Sequence, residues 1–223
     1  MNINKELVSK SKYNVKCPYV MKPKGICVHN TANDASAKNE VSYMKGNNNQ
    51  VSYHIAVDDI EAIQAIPFDR NTWHAGDGSS GNGNRNYISI EICYSKSGGP
   101  KFNKAEKNAA EIIAQLLKQY GWGIGKVKKH QDFSGKYCPH RTLDMGWNRF
   151  LNMIQKEMKG ADIKVDDKKE LSKIKISLHG KQLETDGIHQ DGINYIPIRF
   201  LEKLGYQIGW QDETVTINYK GEE

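Results

Sequence analysis

The segment Ile88-Ser89-Ile90-Glu91-Ile92-Cys93-Tyr94 decides the fold, because its first six residues alternate between isoleucine and smaller or polar side chains. A period of two residues is typical of a β-strand that buries one of its faces. The three isoleucines therefore share the core face, and Glu91 lies on the opposite, less apolar face. The segment predicts a core strand that presents a carboxylate away from the hydrophobic interior.

Further strands and helices are predicted on both sides of this segment. The longest helix, Lys104–Tyr120, has apolar residues at helical spacing, with Asn103 as its capping residue and Glu106 reaching back to the capping amide. The other predicted elements are strands at 26–29, 52–57 and 62–66 and helices at 37–45 and 145–158. This order of elements predicts an α/β fold in which a mixed central β-sheet is flanked by helices.

The chain is long enough for one full domain and a smaller second one. Its 223 residues divide at a charged segment that is poor in large apolar side chains. We predict a catalytic domain over residues 1–159, a linker over 160–172 and a small β-rich C-terminal domain over 173–223. About 50 residues bury only a thin core, so the second domain is expected to be an accessory module.

Charge is distributed unevenly between these two parts. Residues 1–160 contain 23 basic and 14 acidic residues, a net charge of +9, whereas residues 161–223 have a net charge of −3. A cationic catalytic half suits a polyanionic partner such as an anionic cell surface, although a charge spread for solubility is the alternative. The sequence has no RNA-recognition motif, zinc-finger spacing or dense basic helix, so nucleic acid is not the expected partner.

The sequence also bears on membranes and on the redox compartment. No apolar run approaches the ~18 residues of a membrane span, and the first residues lack the apolar core of a signal peptide. We therefore expect synthesis in a cytoplasm and no membrane insertion. The four cysteines have no paired spacing that suggests disulfides, so reduced thiols are expected. We expect Cys138 to be a metal ligand and Cys27 and Cys93 to be packed in strands.

A second informative stretch is His130-Gln131-Asp132-Phe133-Ser134-Gly135-Lys136-Tyr137-Cys138-Pro139-His140. Its partner is the distant run Gly25-Ile26-Cys27-Val28-His29-Asn30-Thr31, in which a predicted strand delivers a histidine into a polar turn. Two imidazoles and one thiolate make a zinc site with three protein ligands, and the open fourth position is a mark of catalytic zinc. From the residues alone, His140 remains an alternative ligand to His130.

Five short motifs follow one another in a recognisable order: Val28-His29-Asn30-Thr31, Tyr53-His54, Trp73-His74-Ala75-Gly76, Ser89-Ile90-Glu91-Ile92 and His130 to His140. Together they resemble the type 2 N-acetylmuramoyl-L-alanine amidases, a family that shares its fold with the peptidoglycan recognition proteins. The resemblance covers about residues 20–158. The family includes phage endolysins and bacterial autolysins.

This resemblance implies a zinc amidase that cleaves between the lactyl group of muramic acid and the L-alanine of the stem peptide. It implies Zn²⁺ ligation by His29, His130 and Cys138. The expected partner is peptidoglycan of a Gram-positive-type wall. The missing signal peptide favours a phage or prophage endolysin that reaches the wall after release; a secreted autolysin is the alternative. The sequence carries no signal for an oligomeric state.

The same residues suggest how the reaction is assisted. Glu91 is the expected general base, Lys136 the expected partner of the developing oxyanion, and Tyr53 a hydrogen-bond donor near the same oxygen. His74, Asn30 and Thr31 are expected to contact substrate. Plain structural roles remain the alternatives: an ion-paired Glu91, a solvated Lys136 and a core Tyr53.

Two other classes of function stay open at this point. A binding-only peptidoglycan receptor would retain the fold without the reaction, although recognition proteins of that kind usually lack a cysteine at the position of Cys138. A Cys–His hydrolase would use Cys138 as its nucleophile and need no metal.

The C-terminal part has a resemblance of its own. Gly192 to Arg199, Leu204-Gly205, Trp210 and Val215 to Ile217 resemble the copper amine oxidase N-terminal-like repeat of bacterial surface proteins. No histidine cluster accompanies it, so copper is not implied. A wall-binding role is expected, with dimerisation or stabilisation as alternatives.

Overall fold

The computed structural model describes residues 1–159, 172–178, 181–190, 193–211 and 214–219. Contacts between Cα atoms divide the chain into two compact units, Met1–Ala161 and Asp162–Glu223. Most of the predicted linker lies outside the described residues. The proposed domain boundaries therefore remain predictions.

The first unit is built on a six-stranded mixed sheet with the strand order β1-β4-β3-β5-β2-β6. Neighbouring strands run parallel except β3 and β4, which are antiparallel. The strands are β1 (Ile3–Lys5), β2 (Gly25–Asn30), β3 (Ile55–Val57), β4 (Ala62–Gln64), β5 (Tyr87–Ile92) and β6 (Val127–Lys129). The sheet confirms the predicted α/β class with a mixed central sheet.

Strand β5 lies inside this sheet, between β3 and β2, as its alternating sequence predicts. Ile88, Ile90 and Ile92 are fully buried in the main hydrophobic core. Full burial of an isoleucine side chain contributes about 1.5–3 kcal/mol, so this face fixes the orientation of the strand. Glu91 is thereby held on the other face.

Helices pack against the sheet. They are α1 (Tyr13–Lys16), α2 (Ala37–Gly46), α3 (Asn82–Asn86), α4 (Gly99–Tyr120), α5 (Gln131–Ser134), α6 (His140–Asp144) and α7 (Trp147–Lys159), with 3₁₀ helices at Lys10–Lys12 and Ile124–Lys126. Helix α4 contacts β3, β4 and β5, and α7 packs against α4. The predicted flanking helices are thus confirmed.

The start of helix α4 was predicted wrongly. The helix begins at Gly99, with Gly98 as its capping residue, so Asn103 lies inside it. Pro100 explains the difference, because proline has no amide hydrogen to leave unsatisfied in a first helical turn and its φ suits the helix. The predicted stop at Gly121 is confirmed, with the left-handed φ of 66° that favours glycine.

Glu106 consequently does not cap the helix. It is buried, and its Oε2 atom accepts a hydrogen bond of 2.7 Å from Nη2 of Arg149 on α7. A buried carboxylate is costly unless it is paired, so this ion pair fixes the packing of α7 on α4. The prediction failed because helical spacing alone does not show which neighbour a carboxylate faces.

The second unit is β-rich in the residues described. Strands β7 (Ser172–Leu178), β8 (Lys181–Gln190) and β9 (Ile193–Tyr195) form one antiparallel sheet, and β10 (Tyr206–Gln211) pairs with β11 (Thr214–Tyr219) as a hairpin. A 3₁₀ helix over Ile198–Leu204 ends at Gly205. No helix among the described residues has the length and apolarity needed to cross a membrane.

Candidate functional site

The chemically important side chains lie where neighbouring strands β5, β2 and β6 end. In the parallel register of β2 and β5, His29 is the Cα partner of Glu91. His130 follows β6, the edge strand that pairs with the other side of β2. Because parallel strands place their carboxyl ends at one edge, residues about 40 and 100 positions apart meet there.

Three ligand-type atoms converge at this edge. Nδ1 of His29 lies 3.0 Å from Nδ1 of His130 and 3.8 Å from Sγ of Cys138. All three residues are buried, and these atoms lie within 4.8 Å of one another. Burial lowers the pKa of both histidines, which favours neutral rings with a free lone pair.

The spacing of these atoms fits a tetrahedral zinc ion. Bonds of about 2.0 Å to nitrogen and 2.3 Å to sulfur place ligand atoms roughly 3.3–3.6 Å apart. The observed separations of 3.0 and 3.8 Å bracket that range. His140 is not part of this cluster, because its Nε2 lies 3.3 Å from the carbonyl oxygen of Ser95.

A second group, consisting of Cys27, His29 and His74, shares one histidine with the first. Nε2 of His29 lies 2.9 Å from Nδ1 of His74 and 3.1 Å from Sγ of Cys27. Cys27 is fully buried, and burial raises its pKa well above the usual value, so the thiol is neutral. This group lies behind the first one, and Cys27 is not among the residues that line the adjoining cleft.

The first cluster opens into a cleft of about 400 Å³. Its walls come from strand ends, from helix α2 and from the segment after α5. The lining residues are His29, Asn30, Thr31, Ala32, Glu40, Tyr43, Met44, Asn47, Asn49, Val51, Ser52, Tyr53, His74, Glu91, His130, Lys136 and Cys138. A cleft of this size admits a small portion of a polymeric substrate.

Glu91 places a carboxyl group in the cleft beside the histidine and cysteine cluster. Its Oε1 lies 4.0 Å from Nδ1 of His29, and its Oε2 is buried without a hydrogen-bond partner. Burial, with repulsion from Glu40, raises the pKa of Glu91 to about 8. A cation bound by the neighbouring cluster would lower this pKa and favour the ionised carboxylate. The free oxygen of Glu91 is therefore compatible with a cation at this place.

The cleft contains two further polar groups without partners. The Tyr53 hydroxyl and Oγ1 of Thr31 are both buried and unpaired. Buried polar atoms normally have a hydrogen-bond partner, so these two are free to bind a ligand. Burial, with Glu40, raises the pKa of Tyr53, so its hydroxyl is a donor rather than an anion.

Lys136 and Asn30 have different surroundings. Lys136 is exposed at the cleft wall, where its positive charge lowers the pKa of Cys138 against the stronger raising effect of burial. Asn30 is committed to the protein: its Oδ1 accepts hydrogen bonds from the amides of Arg141 and Thr142 at the start of α6. It thereby holds the segment that carries Cys138. The predicted substrate contacts of Asn30 and Thr31 remain predictions.

His74 is buried, and both of its ring nitrogens have partners within the protein. Its Nε2 lies 3.0 Å from the carbonyl oxygen of Gly83, and its Nδ1 faces His29. The family resemblance implied a substrate contact for His74, because it places this loop beside the substrate groove. That role stays a prediction, and the hydrogen bonds point to another one.

Sequence reasoning missed two residues of the cleft region. Glu40, on helix α2, is half-buried, accepts a hydrogen bond from Asn33 and lines the wall. Lys16 is fully buried, and its Nζ donates to Oδ1 of Asn47 and to the carbonyls of Asn49 and Val51, which fixes the loop that forms one rim. The amphipathic pattern of α2 carried a weak signal for Glu40; nothing in the sequence pointed to Lys16.

A two-histidine, one-cysteine cluster beside a buried carboxyl, in a cleft on an α/β sheet, has the donor set of a hydrolytic zinc site. Residues 19–141 match the family profile described as N-acetylmuramoyl-L-alanine amidase. The match spans more than half of the chain, and the chain belongs to this family. The resemblance found in the sequence is thus confirmed for this region; that of the C-terminal part remains a prediction.

Individual relatives agree with this assignment. The chain is 58% identical over 160 residues to N-acetylmuramoyl-L-alanine amidase XlyB of Bacillus subtilis (strain 168), covering 71% of this chain and 50% of that protein. It is 55% identical over 170 residues to the amidase CwlA of the same organism, covering 76% and 62%. The chain therefore spans about half to three fifths of these curated relatives.

Solved structures show the same fold. The structure of PlyL is 58% identical with a TM-score of 0.68, covering 69% of this chain and 97% of that one. The catalytic domain of XlyA is 39% identical with a TM-score of 0.63, covering 69% and 99%. The similarity thus covers nearly all of those two structures.

We predict that Glu91→Gln lowers the turnover of peptidoglycan by about 100- to 10,000-fold, the usual contribution of a positioned acid–base group. Glutamine keeps the shape of the side chain but accepts no proton. The measurement is the rate of release of new amino termini from purified walls, with Glu157→Gln on α7, outside the cleft, as the matched control. Full activity in Glu91→Gln would remove this residue from the mechanism.

Proposed function

We propose that this chain is a zinc-dependent amidase that hydrolyses the bond between N-acetylmuramic acid and L-alanine in peptidoglycan. The observation that carries the proposal is the convergence of Nδ1 of His29, Nδ1 of His130 and Sγ of Cys138 on the floor of a cleft, beside Glu91. The amidase names of its relatives support the same reaction.

His29, His130 and Cys138 would hold the zinc ion. When bound, zinc supplies Lewis acidity, which lowers the pKa of water and polarises a carbonyl group. Glu91 accepts a proton from the attacking water and passes it to the departing nitrogen of L-alanine. The oxygen of the water joins the lactyl carbonyl carbon, the C–N bond breaks, and the products are a lactyl carboxylate and a free amino terminus.

Two residues at the cleft assist the change of charge at the carbonyl. Lys136 offers a cation for the negative charge that develops on the carbonyl oxygen. The buried, unpaired hydroxyl of Tyr53 offers a hydrogen bond to the same oxygen. A donor that is already placed and desolvated loses little on binding the transition state, which applies to Tyr53; the exposed Lys136 contributes its charge.

The Cys–His hydrolase alternative is disfavoured by the thiol itself. A nucleophilic cysteine needs a lowered pKa, which keeps it as the thiolate. Burial instead raises the pKa of Cys138 to about 11, with Glu91 adding to the effect. A binding-only receptor would have no use for a carboxyl next to the cluster whose Oε2 is buried without a hydrogen-bond partner.

The decisive experiment measures hydrolysis of purified cell walls before and after removal of metal. We expect a chelator to abolish the appearance of new L-alanine amino termini, and added zinc to restore it, with no new reducing ends. Cys138→Ala should lose both the metal and the activity.

Two results would contradict the proposal. Hydrolysis that continues undiminished in the protein shown to be free of metal would support the Cys–His alternative, as would inactivation by alkylation without loss of metal. Wall binding without any new amino termini would support a receptor.

We further propose that the natural target is a Gram-positive-type wall and that the chain is an endolysin of phage or prophage origin. The Bacillus amidases among its relatives support the wall type. The net charge of +9 on residues 1–160 suits a wall rich in anionic polymers. A secreted autolysin remains the alternative.

For the C-terminal part, we propose the division made from the sequence: a catalytic domain over 1–159, a linker over 160–172 and a wall-binding domain over 173–223. The two compact units support a separable module, and so does the PlyL structure, which is matched over 97% of its own length by only 69% of this chain.

This division predicts that a chain ending at residue 161 sediments with purified walls at least about tenfold less than the full chain. Hydrolysis of a small soluble muropeptide should be equal in the two, since the cleft is built from the first unit. The measurement is the fraction bound in a pull-down at fixed ionic strength. Equal sedimentation would show that wall affinity resides in the catalytic domain.

A further inference from the structure

Residues 74–84 form a glycine-rich segment that has no place in the mechanism above. His74, at its start, is nevertheless buried against a proposed metal ligand. Its hydrogen bonds fix the position of each hydrogen from one group to the next. If the proposed function places zinc beside His29, these hydrogens decide which nitrogen of His29 is free to bind it.

The chain of hydrogen bonds begins at a carbonyl group. The Gly83 carbonyl oxygen can only accept, and it lies 3.0 Å from Nε2 of His74, so this nitrogen carries the hydrogen. The ring is buried, and its hydrogen-bond partners, His29 and Gly83, are not anions, so a neutral imidazole is favoured. Nδ1 of His74 is therefore an acceptor.

The next step fixes His29. Nδ1 of His74 lies 2.9 Å from Nε2 of His29, so Nε2 of His29 donates this hydrogen bond and carries the hydrogen. Nδ1 of His29 is then a bare lone pair, and it is the atom that faces His130 and Cys138. The opposite tautomer would point an N–H at the metal position.

Cys27 also lies close to this nitrogen, with Sγ at 3.1 Å from Nε2 of His29. If its thiol donated to Nε2, His29 would carry its hydrogen on Nδ1 and could not bind a metal there. A thiol is a weak donor, whereas an imidazole nitrogen is a good acceptor. His74 thus decides the outcome at the nitrogen that both residues contact.

The glycine-rich segment holds His74 and Gly83 in place. Oδ1 of Asn84 accepts from the backbone amide of His74 at 2.8 Å, and Oδ2 of Asp77 accepts from the amide of Gly83 at 2.6 Å. A Cβ atom at Gly83 would lie 2.4 Å from that of Ala75, so only glycine allows this approach. The segment therefore holds the carbonyl group of Gly83, the first acceptor in the series of hydrogen bonds, in place.

We infer that His74 is a positioning residue for zinc. Its ring donates a hydrogen bond to the carbonyl of Gly83 and accepts one from His29, and it thereby fixes the tautomer in which Nδ1 of His29 is free to bind the metal. Partners of this kind orient metal-binding histidines and typically contribute 10- to 100-fold in metal affinity. This role needs no contact between His74 and the substrate.

Three variants of the full chain test this inference. His74→Phe keeps the ring volume but removes the acceptor. His74→Asn restores an acceptor, because its amide oxygen is as many bonds from the backbone as Nδ1 of histidine. Cys27→Ala removes the other neighbour of Nε2 of His29 and is the matched control.

The readout is the zinc dissociation constant, measured by competition with a chromophoric chelator. We expect about 10- to 100-fold weaker binding for His74→Phe. The other two variants should stay within about threefold of the wild type. Nitrogen-15 NMR of the imidazoles should show His29 with its hydrogen on Nε2 in the wild type and in His74→Asn, and a mixture of tautomers in His74→Phe. Thermal unfolding of the zinc-free proteins identifies any variant that merely fails to fold.

Wild-type zinc affinity in a folded His74→Phe, or an unchanged His29 tautomer, would overturn the inference. A loss of affinity in Cys27→Ala equal to that in His74→Phe would assign the role to Cys27 instead. If the wild-type chain itself binds no zinc, the proposed function fails rather than this inference alone.

Discussion

The parallel pairing of β2 with β5 is the constraint on which the rest of the site depends. This register sets His29 directly beside Glu91, on the face of the sheet opposite the buried isoleucines of β5. A slip of one strand by one residue would turn its own reactive side chain, His29 or Glu91, into the core, so the hydrophobic packing of the strands also aligns a ligand with a base. The hydrophobic contacts that stabilise these strands therefore also position the side chains of the site.

The cleft collects polar groups that the protein leaves unsatisfied. The Glu91 carboxyl and the Tyr53 hydroxyl each have a buried oxygen without a hydrogen-bond partner, which costs folding free energy of about 1–3 kcal/mol per group. A stable fold tolerates this cost where a ligand or ion completes the hydrogen bonding. Around the cluster the opposite holds: the segment carrying Cys138 is fixed by Asn30, and His29 is fixed through His74. Fixed ligands beside unsatisfied reactive groups are the arrangement expected of a preorganised site.

The sequence predicted much of this molecule, and its failures have physical causes. Alternation in β5 and helical spacing in α4 were sufficient for the fold class, because burial imposes those periods. The start of α4 was placed too late because the pattern gives no weight to Pro100. The cluster of His29, His130 and Cys138 was proposed from its residue types, and the family resemblance was needed to support it, since spacing along the chain does not reveal which strands are neighbours. The relay through His74 was beyond prediction: it depends on a carbonyl oxygen, which has no signature in the sequence.

The most direct test of this account is anomalous diffraction from crystals of the zinc-loaded protein, collected at the zinc absorption edge. We expect one zinc ion per chain, bound by Nδ1 of His29 and Nδ1 of His130 at about 2.0–2.1 Å and by Sγ of Cys138 at about 2.3 Å. The Glu91 carboxyl should lie at the open side of the ion. A zinc ion bound elsewhere, or bound without Cys138, would contradict it.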